Sequence, residues 1–233
     1  MNGVELYNLF EEKIVNGNVM IDEPMREHTS FKIGGPADVM VLPGSEEELI
    51  EAIKICKRND IDFFIMGNGT NILVSDKGIR GVVIKISELL GEIIVDENKI
   101  VVQGGALLTV VSKQALNSSL SGLEFASGIP GSVGGAVTMN AGAYGGEMKD
   151  VVSSVKCIDR NGNIIELTND EMNFGYRKST VQDKDFVVVE VTMNLSSGDY
   201  DEIHGKMKDY TERRTSKQPL NLPSGGSTFK RPT

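Results

Sequence analysis

Two short runs combine a cation, hydroxyls and turn formers: Gly175-Tyr176-Arg177-Lys178-Ser179 and Pro223-Ser-Gly-Gly-Ser227-Thr-Phe-Lys230-Arg231-Pro232. An arginine grips a carboxylate through two parallel N–H bonds, and a serine set among glycines can deliver a proton. By pattern alone Ser227 to Lys230 also satisfies the S-x-x-K spacing of acyl-serine enzymes. Neither S-D-N nor K-T-G is present to complete that set.

Two glycine-rich segments offer a different chemistry. Gly67-Asn68-Gly69-Thr70-Asn71 follows the apolar run Phe63–Met66. Glycines at i and i+2 let backbone N–H groups approach an anion, so the segment reads either as a phosphate cradle or as a tight turn. Ile72 stands where a dinucleotide fingerprint needs Gly or Ala, and no Lys-Ser/Thr follows, so it is neither that fingerprint nor a P-loop. Gly122 to Gly146 holds eight glycines in 25 residues, interleaved with Ser127, Ser132, Thr138 and Asn140. Such a backbone can run close against a large flat or phosphorylated ligand, or pack as a turn-rich connector. Ser132 is no nucleophile elbow, because Pro130 takes the first glycine position of G-x-S-x-G.

These segments need elements to hold them. Val4 to Val15 has helical spacing, Asn18 to Ile21 reads as a short strand and Ala37 to Leu42 as another. Ser45-Glu-Glu-Glu48 is a capping box opening a helix. Phe63–Met66, Val82–Ile86, Ile93–Val95 and Ile100–Val102 read as strands, and Ala106–Leu120 as a helix. Val152–Ile158 and Ile164–Leu167 flank Arg160-Asn161-Gly162 as a hairpin. Thr168-Asn-Asp-Glu171 is a second capping box, Phe186–Val191 a strand and Asp201–Arg214 a polar helix. The fold class reads as α+β or mixed α/β, not as a barrel of eight parallel strands.

Composition excludes several functions. With 24 basic and 33 acidic residues the net charge is −9, which argues against general nucleic-acid binding. Five of the bases (Arg213, Arg214, Lys217, Lys230, Arg231) lie in the last 21 residues, where there is no acid. A basic end on an acidic body marks either a local anion site or a solvated tail. No run of ~18 apolar residues is present, so no spanning helix and no membrane partner are expected. Met1-Asn-Gly-Val-Glu-Leu lacks the basic and apolar regions of a secretory leader, and a cytoplasmic location is expected. Cys56 and Cys157 are far apart and only His28 and His204 are histidines, so neither a disulfide nor a metal site is expected.

Five runs together say more than any one. They are His28-Thr-Ser-Phe-Lys-Ile-Gly-Gly-Pro-Ala-Asp38, Met66-Gly-Asn-Gly-Thr-Asn-Ile-Leu-Val-Ser-Asp76, Gly128 through Gly145, Tyr176-Arg177, and Gly226-Ser227-Thr-Phe-Lys230. Their order and spacing resemble the UDP-N-acetylenolpyruvoylglucosamine reductase family, from about Glu23 to the last residue. The resemblance implies a two-lobed FAD-binding module of the vanillyl-alcohol-oxidase type over 30–195, with lobes of about 30–88 and 89–195. An N-terminal helix and lead-in (1–29) would precede it, and the beginning of a substrate-binding domain (196–233) would follow.

The same resemblance implies FAD as cofactor, NADPH as co-substrate and UDP-N-acetylglucosamine enolpyruvate as the small molecule reduced, in a monomeric enzyme of peptidoglycan synthesis. Gly67, Asn68, Gly69, Thr70 and Asn71 would hold the pyrophosphate. Ser127, Gly128, Ile129, Pro130, Gly131, Ser132, Gly134, Gly135, Asn140 and Gly142 would line the rest of the cofactor. Arg177 would bind the substrate carboxylate, Ser227 would donate the proton, and Tyr176 would pack near flavin or substrate. Lys217 and Arg213 would meet the UDP diphosphate or the FAD phosphates, or else merely complement a helix dipole. The family completes its site with a glutamate near its C-terminus, whereas no acid follows Glu212 here. The expectation is therefore a chain lacking most of the substrate domain. Two alternatives stand beside the reductase: an FAD-binding fragment without turnover, and a related flavin oxidase. Against the oxidase, the glycine-rich segments hold no His or Cys to tether a flavin covalently.

Overall fold

In the computed structural model residues 1–219 and 221–226 are described. Helix α1 (Gly3–Phe10) opens on a capping box in which Asn2 accepts from the Glu5 N–H at 3.0 Å and Glu5 accepts from the Asn2 N–H at 2.9 Å. Strands β1 (Asn18–Pro24) and β2 (Pro36–Leu42), helix α2 (Glu46–Arg58), and strands β3 (Phe63–Met66) and β4 (Ile79–Lys85) follow. The sheet order is β1-β2-β4-β3, with β1 antiparallel to β2 and both β2 and β3 parallel to β4. Parallel neighbours need long connections: α2 lies on the path from β2 to β4, and the loop Gly67–Gly78 joins β3 to β4.

The period of two along these strands gives the sheet two apolar faces. Val39, Val41, Val82 and Ile84 face a core with Leu6 and Phe10 of α1 and Leu49 and Ile53 of α2. The residues between them, Met40 and Val83, join Met25, Met66 and Val74 on the other face. The connectors Met25–Gly35 and Gly67–Gly78 supply Met25 and Val74 to this face, so it seats both loops.

The second half forms strands β5 (Ile93–Asp96) and β6 (Lys99–Gln103), helix α3 (Leu108–Asn117), a short β7 (Leu120–Ser121) and helix α4 (Val133–Thr138). The tiny hairpin β8 (Gly142–Ala143) and β9 (Gly146–Glu147) comes next. Strands β10 (Val152–Ile158) and β11 (Ile164–Thr168), helix α5 (Thr180–Lys184), strands β12 (Val187–Asn194) and β13 (Ser196–Ser197), and helix α6 (Tyr200–Thr215) complete it. The five-stranded sheet has order β11-β10-β12-β6-β5 and is antiparallel throughout. Val188 and Cys157 face a core with α3 and α4, whereas their neighbours Val187, Val189 and Ile158 enter the core of the first sheet. One apolar layer thus joins the halves, and Lys156 adds an ion pair to Glu46 at 2.7 Å.

Most elements fall where their patterns predict, including the β10–β11 hairpin around Gly162, whose φ of +82° suits glycine. Two do not. The first helix ends at Phe10 rather than reaching Val15. There the N–H groups of Val15 and Asn16 donate instead to the Glu48 carboxylate, at 2.8 and 2.6 Å. The second capping box forms its bonds, with the Thr168 N–H and hydroxyl each 2.8 Å from Glu171, but encloses a turn and no helix. Asn169, anchored to the carbonyls of Lys149 and Val152, holds the chain against the sheet edge.

Candidate cofactor and substrate site

The two glycine-rich segments meet. Asn68 donates to the Pro130 carbonyl at 2.8 Å across 62 residues of sequence. A Cβ on Gly67 would sit 2.2 Å from the Ser132 hydroxyl, and one on Gly69 (φ +63°) 1.8 Å from the His28 carbonyl oxygen. These positions exclude any side chain, so the loop is drawn onto its neighbours by backbone contact. Among the described residues, the N–H groups of Gly67, Asn68, Gly69, Thr70 and Asn71 donate to no protein acceptor. Successive undonated amides in a glycine turn make a concave site of positive potential, which suits a phosphate group.

The second segment is woven into the sheet. The N–H groups of Val133 and Gly134 donate to Ala106 and Gly104, each at 2.8 Å, and the Leu108 N–H donates to Gly131 at 2.9 Å. Ser132 is buried and caps α4 through the Gly135 N–H. Ser127 donates to the Glu124 carbonyl at 2.9 Å, and the Ile129 N–H to Ala126 at 3.0 Å. Asn140 is fully buried with its side chain occupied: it donates to Glu147 at 2.9 Å and Gly175 at 3.0 Å and accepts from the Lys149 N–H at 3.0 Å. Its part is to bracket the chain, bringing Gly175 to Gly142.

That bracket sets Arg177. The turn Gly175–Lys178 closes on itself through paired backbone bonds, with Tyr176 and Arg177 at its tip. Arg177 adopts φ +55°, and its guanidinium donates to the Asn140 carbonyl at 3.1 Å and the Gly142 carbonyl at 2.9 Å. A left-handed arginine persists only where its surroundings over-determine it. Two of its five N–H groups are engaged there, and the side chain remains exposed. Its guanidinium carbon lies 5.2 Å from the centroid of the Tyr176 ring.

Helix α6 closes one side of the site. Tyr144, at the tip of the β8–β9 hairpin, stacks on Tyr210 at 4.4 Å and 6° and donates to the Tyr210 carbonyl at 3.0 Å. The two adjacent arginines of this helix have different neighbours. Arg213 turns outward and pairs with Asp209 at 2.8 Å, whereas Arg214 lies over Gly128, within 3.1 Å of where a Cβ would stand. The i,i+4 spacing of Asp209 and Arg213 signals that pairing in the sequence. Lys217 is exposed just beyond the helix. Ser227, Lys230 and Arg231 lie outside the described residues; the chain before them, Ser224 to Gly226, rests on Ser30 and Phe31.

Residues with no sequence-assigned role support the loop from behind. Lys85 Nζ is 3.0 Å from His28 Nδ1, and His28 Nε2 is 2.8 Å from Glu23. With the ammonium as donor, Nδ1 accepts and the Nε2 proton goes to the carboxylate. Burial pulls the Lys85 ammonium below its usual range, against the opposing charges of Glu88 and Glu23. The signal for this chain was present in the H-T-S-F run, but nothing local links His28 to a lysine 57 residues away. Burial also pushes the thiols of Cys56 and Cys157 up to about 12, so neither is a nucleophile at neutral pH. Among the described residues no group of three or more His, Cys, Asp or Glu side chains is placed to hold a metal ion. No described helix is long and apolar enough to cross a membrane.

The two-sheet α+β fold with its glycine-rich loops is that of an FAD-binding domain. The family model described as an FAD binding domain matches residues 37–168. A glucose dehydrogenase variant of Phl p 4 shares this fold with a TM-score of 0.62 at 14% identity, over 82% of this chain and 44% of that one. The crystal structure of UDP-N-acetylenolpyruvylglucosamine reductase (MurB) from Thermus caldophilus superposes with a TM-score of 0.77 at 31% identity, covering 93% of this chain and 75% of that one. The UDP-N-acetylenolpyruvoylglucosamine reductase of Clostridium botulinum is 52% identical over 223 residues, 96% of this chain and 72% of that protein. The homologue of the same name from Caldanaerobacter subterraneus is 53% identical over 227 residues, 97% of this chain and 75% of that one. The chain belongs to the UDP-N-acetylenolpyruvoylglucosamine reductase family, whose members are FAD-dependent oxidoreductases.

Proposed function

We propose that this protein reduces UDP-N-acetylglucosamine enolpyruvate to UDP-N-acetylmuramate with NADPH, as a monomeric cytoplasmic enzyme of peptidoglycan synthesis. The observation that carries the reading is the placement of Arg177. It is fixed on the carbonyls of Asn140 and Gly142, at the end of the glycine segment whose other end packs against the amide-rich loop Gly67–Asn71.

The residues present fit FAD. The loop Gly67–Asn71 has amides for a pyrophosphate, and Gly128, overlaid by Arg214, offers a bare backbone beside a cation. Bound there, FAD would supply the hydride-transfer chemistry between NADPH and the β-carbon of the enol ether. Arg177 binds the substrate carboxylate and stabilises the negative charge that grows there as the double bond is reduced. Ser227 gives its proton to the α-carbon, completing addition of H⁻ and H⁺ across the double bond. Tyr176 packs beside Arg177 against the ligands, and Lys217 receives the UDP diphosphate.

Anaerobic absorption spectroscopy tests this. The expected result is a yellow protein that NADPH bleaches and that substrate restores. Ser227→Ala should leave bleaching intact and slow restoration by at least about a hundredfold, as for loss of a general acid. Equal losses in both half-reactions remove Ser227 from the proton transfer. A protein that stays colourless with FAD supplied removes the whole reading.

A further inference from the structure

The Ser30–Phe31 turn touches both the cofactor loop and the segment that leads into Ser227. The Ser30 N–H donates to the Gly69 carbonyl at 3.0 Å, and the Ser30 carbonyl accepts from the Ser224 N–H at 3.0 Å. One peptide-length bridge therefore connects two segments more than 150 residues apart in sequence. Next to it, Gly225 lies directly on the Phe31 ring: a Cβ there would stand 2.3 Å from Cε2 and 2.4 Å from Cζ. A side chain at 225 would have to push the ring aside, so with glycine there the ring sets the height at which the strap crosses.

The turn itself is held firmly. Thr29 is buried and donates to the Ile33 carbonyl at 3.1 Å. Lys32 adopts φ +56° while its N–H closes on the Thr29 carbonyl at 3.1 Å. His28, on the other side, is anchored by Lys85 and Glu23. A rigid turn under a glycine strap is a seat, and a single exposed hydrogen bond without the ring would hold the strap only weakly.

We propose that Phe31 and the backbone of Ser30 are positioning groups that tie the strap Ser224–Gly226, which leads in sequence into Ser227, to the FAD loop. Cofactor binding at Gly67–Asn71 then also orders the strap, and Phe31 transmits that order. The proposal rests on the reading of Gly67–Asn71 as the FAD loop and of Ser227 as the proton donor.

Amide exchange at Ser224, read with and without FAD, tests the tie independently of turnover. FAD should slow exchange at Ser224 about fivefold or more, the scale of one ordered hydrogen bond. Phe31→Ala should still bind FAD, with an affinity within about fivefold of the parent by absorbance titration as linkage requires, yet lose this protection, and Phe31→Tyr should restore it. Gly225→Ala should lose it too, and should cause no further change in the Phe31→Ala background, because the ring it strikes is gone. Where substrate reoxidises the flavin, Phe31→Ala should slow that step and spare reduction by NADPH. FAD bound with Ser224 exchange unaffected by FAD, or identical in parent and Phe31→Ala, overturns the proposal and leaves the cofactor assignment standing. Ser224 protected as expected while Ser227→Ala reoxidises normally removes the proton-donor role and leaves the tie. A chain that binds no FAD removes the loop assignment and this coupling together.

Discussion

The two glycine-rich segments look alike in sequence and behave differently in the fold. At the start of the second one, Gly122 and Ser121 donate to the Glu124 carboxylate at 2.7 and 2.8 Å, so the protein supplies its own anion. Farther along, Val133 and Gly134 pair with Ala106 and Gly104. The loop Gly67–Asn71 has no such internal partner for its amides among the described residues. Glycine serves close packing in both, and among the described residues the loop Gly67–Asn71 also leaves five successive amides for an external anion. Only the destination of each N–H separates the two uses.

The strongest way to break this contrast is Gly69→Ala. A methyl at φ +63°, 1.8 Å from the His28 carbonyl, forces the loop off its seat. FAD affinity should fall about a hundredfold, corresponding to roughly 2–3 kcal/mol of strain and lost contact, by absorbance or fluorescence titration. Affinity unchanged from the parent would mean that the undonated amides do not hold the cofactor.

Glu124 sharpens the other side of the comparison. Burial pushes its carboxyl up, but its own amide, the Ser121 hydroxyl, the Gly122 amide and the Lys206 charge outweigh that and hold it below the usual 4.5. A group whose pKa falls on folding stabilises the fold above its unfolded value, and the benefit disappears as pH drops through the folded value. Glu124→Gln should therefore lower the melting temperature at pH 7, and the gap from the parent should narrow from about pH 4.5 downward. A gap independent of pH would show that the carboxylate charge does not anchor the segment.

The smallest effect is expected at Gly135. It lies in α4, and a Cβ would find only the Ser132 hydroxyl at 3.4 Å, an ordinary contact. Gly135→Ala should leave the melting temperature unchanged or raise it slightly, since alanine gains up to about 1 kcal/mol over glycine inside a helix. A large loss of FAD from this variant would show that the second segment also needs bare backbone against the ligand.

Much of the secondary structure was legible because its causes are local. Short continuous apolar runs made β2, β4 and β12, the Ser45 cap started α2, and Asn161-Gly162 turned the β10–β11 hairpin. Local signals failed where a distant group competed. Glu48, a residue of the predicted capping box, instead accepts from Gly44, Val15 and Asn16, and the first helix stops short of them. At the site, residue type and order singled out Arg177 and the two glycine segments. They did not reveal that Asn140 is consumed as a bracket or that Arg214, rather than Arg213, covers Gly128.

The amino-acid sequence by itself determined the elements, the family and the residue types able to do the chemistry, since propensity, periodicity and motif order all reside in neighbouring positions. Tertiary structure alone decided which amides stay undonated, which of two adjacent arginines meets the glycine segment, and where the Ser224–Gly226 strap sits. Each of those depends on a partner tens to nearly 200 residues away, brought close only when the two sheets share their apolar layer and bury it from water.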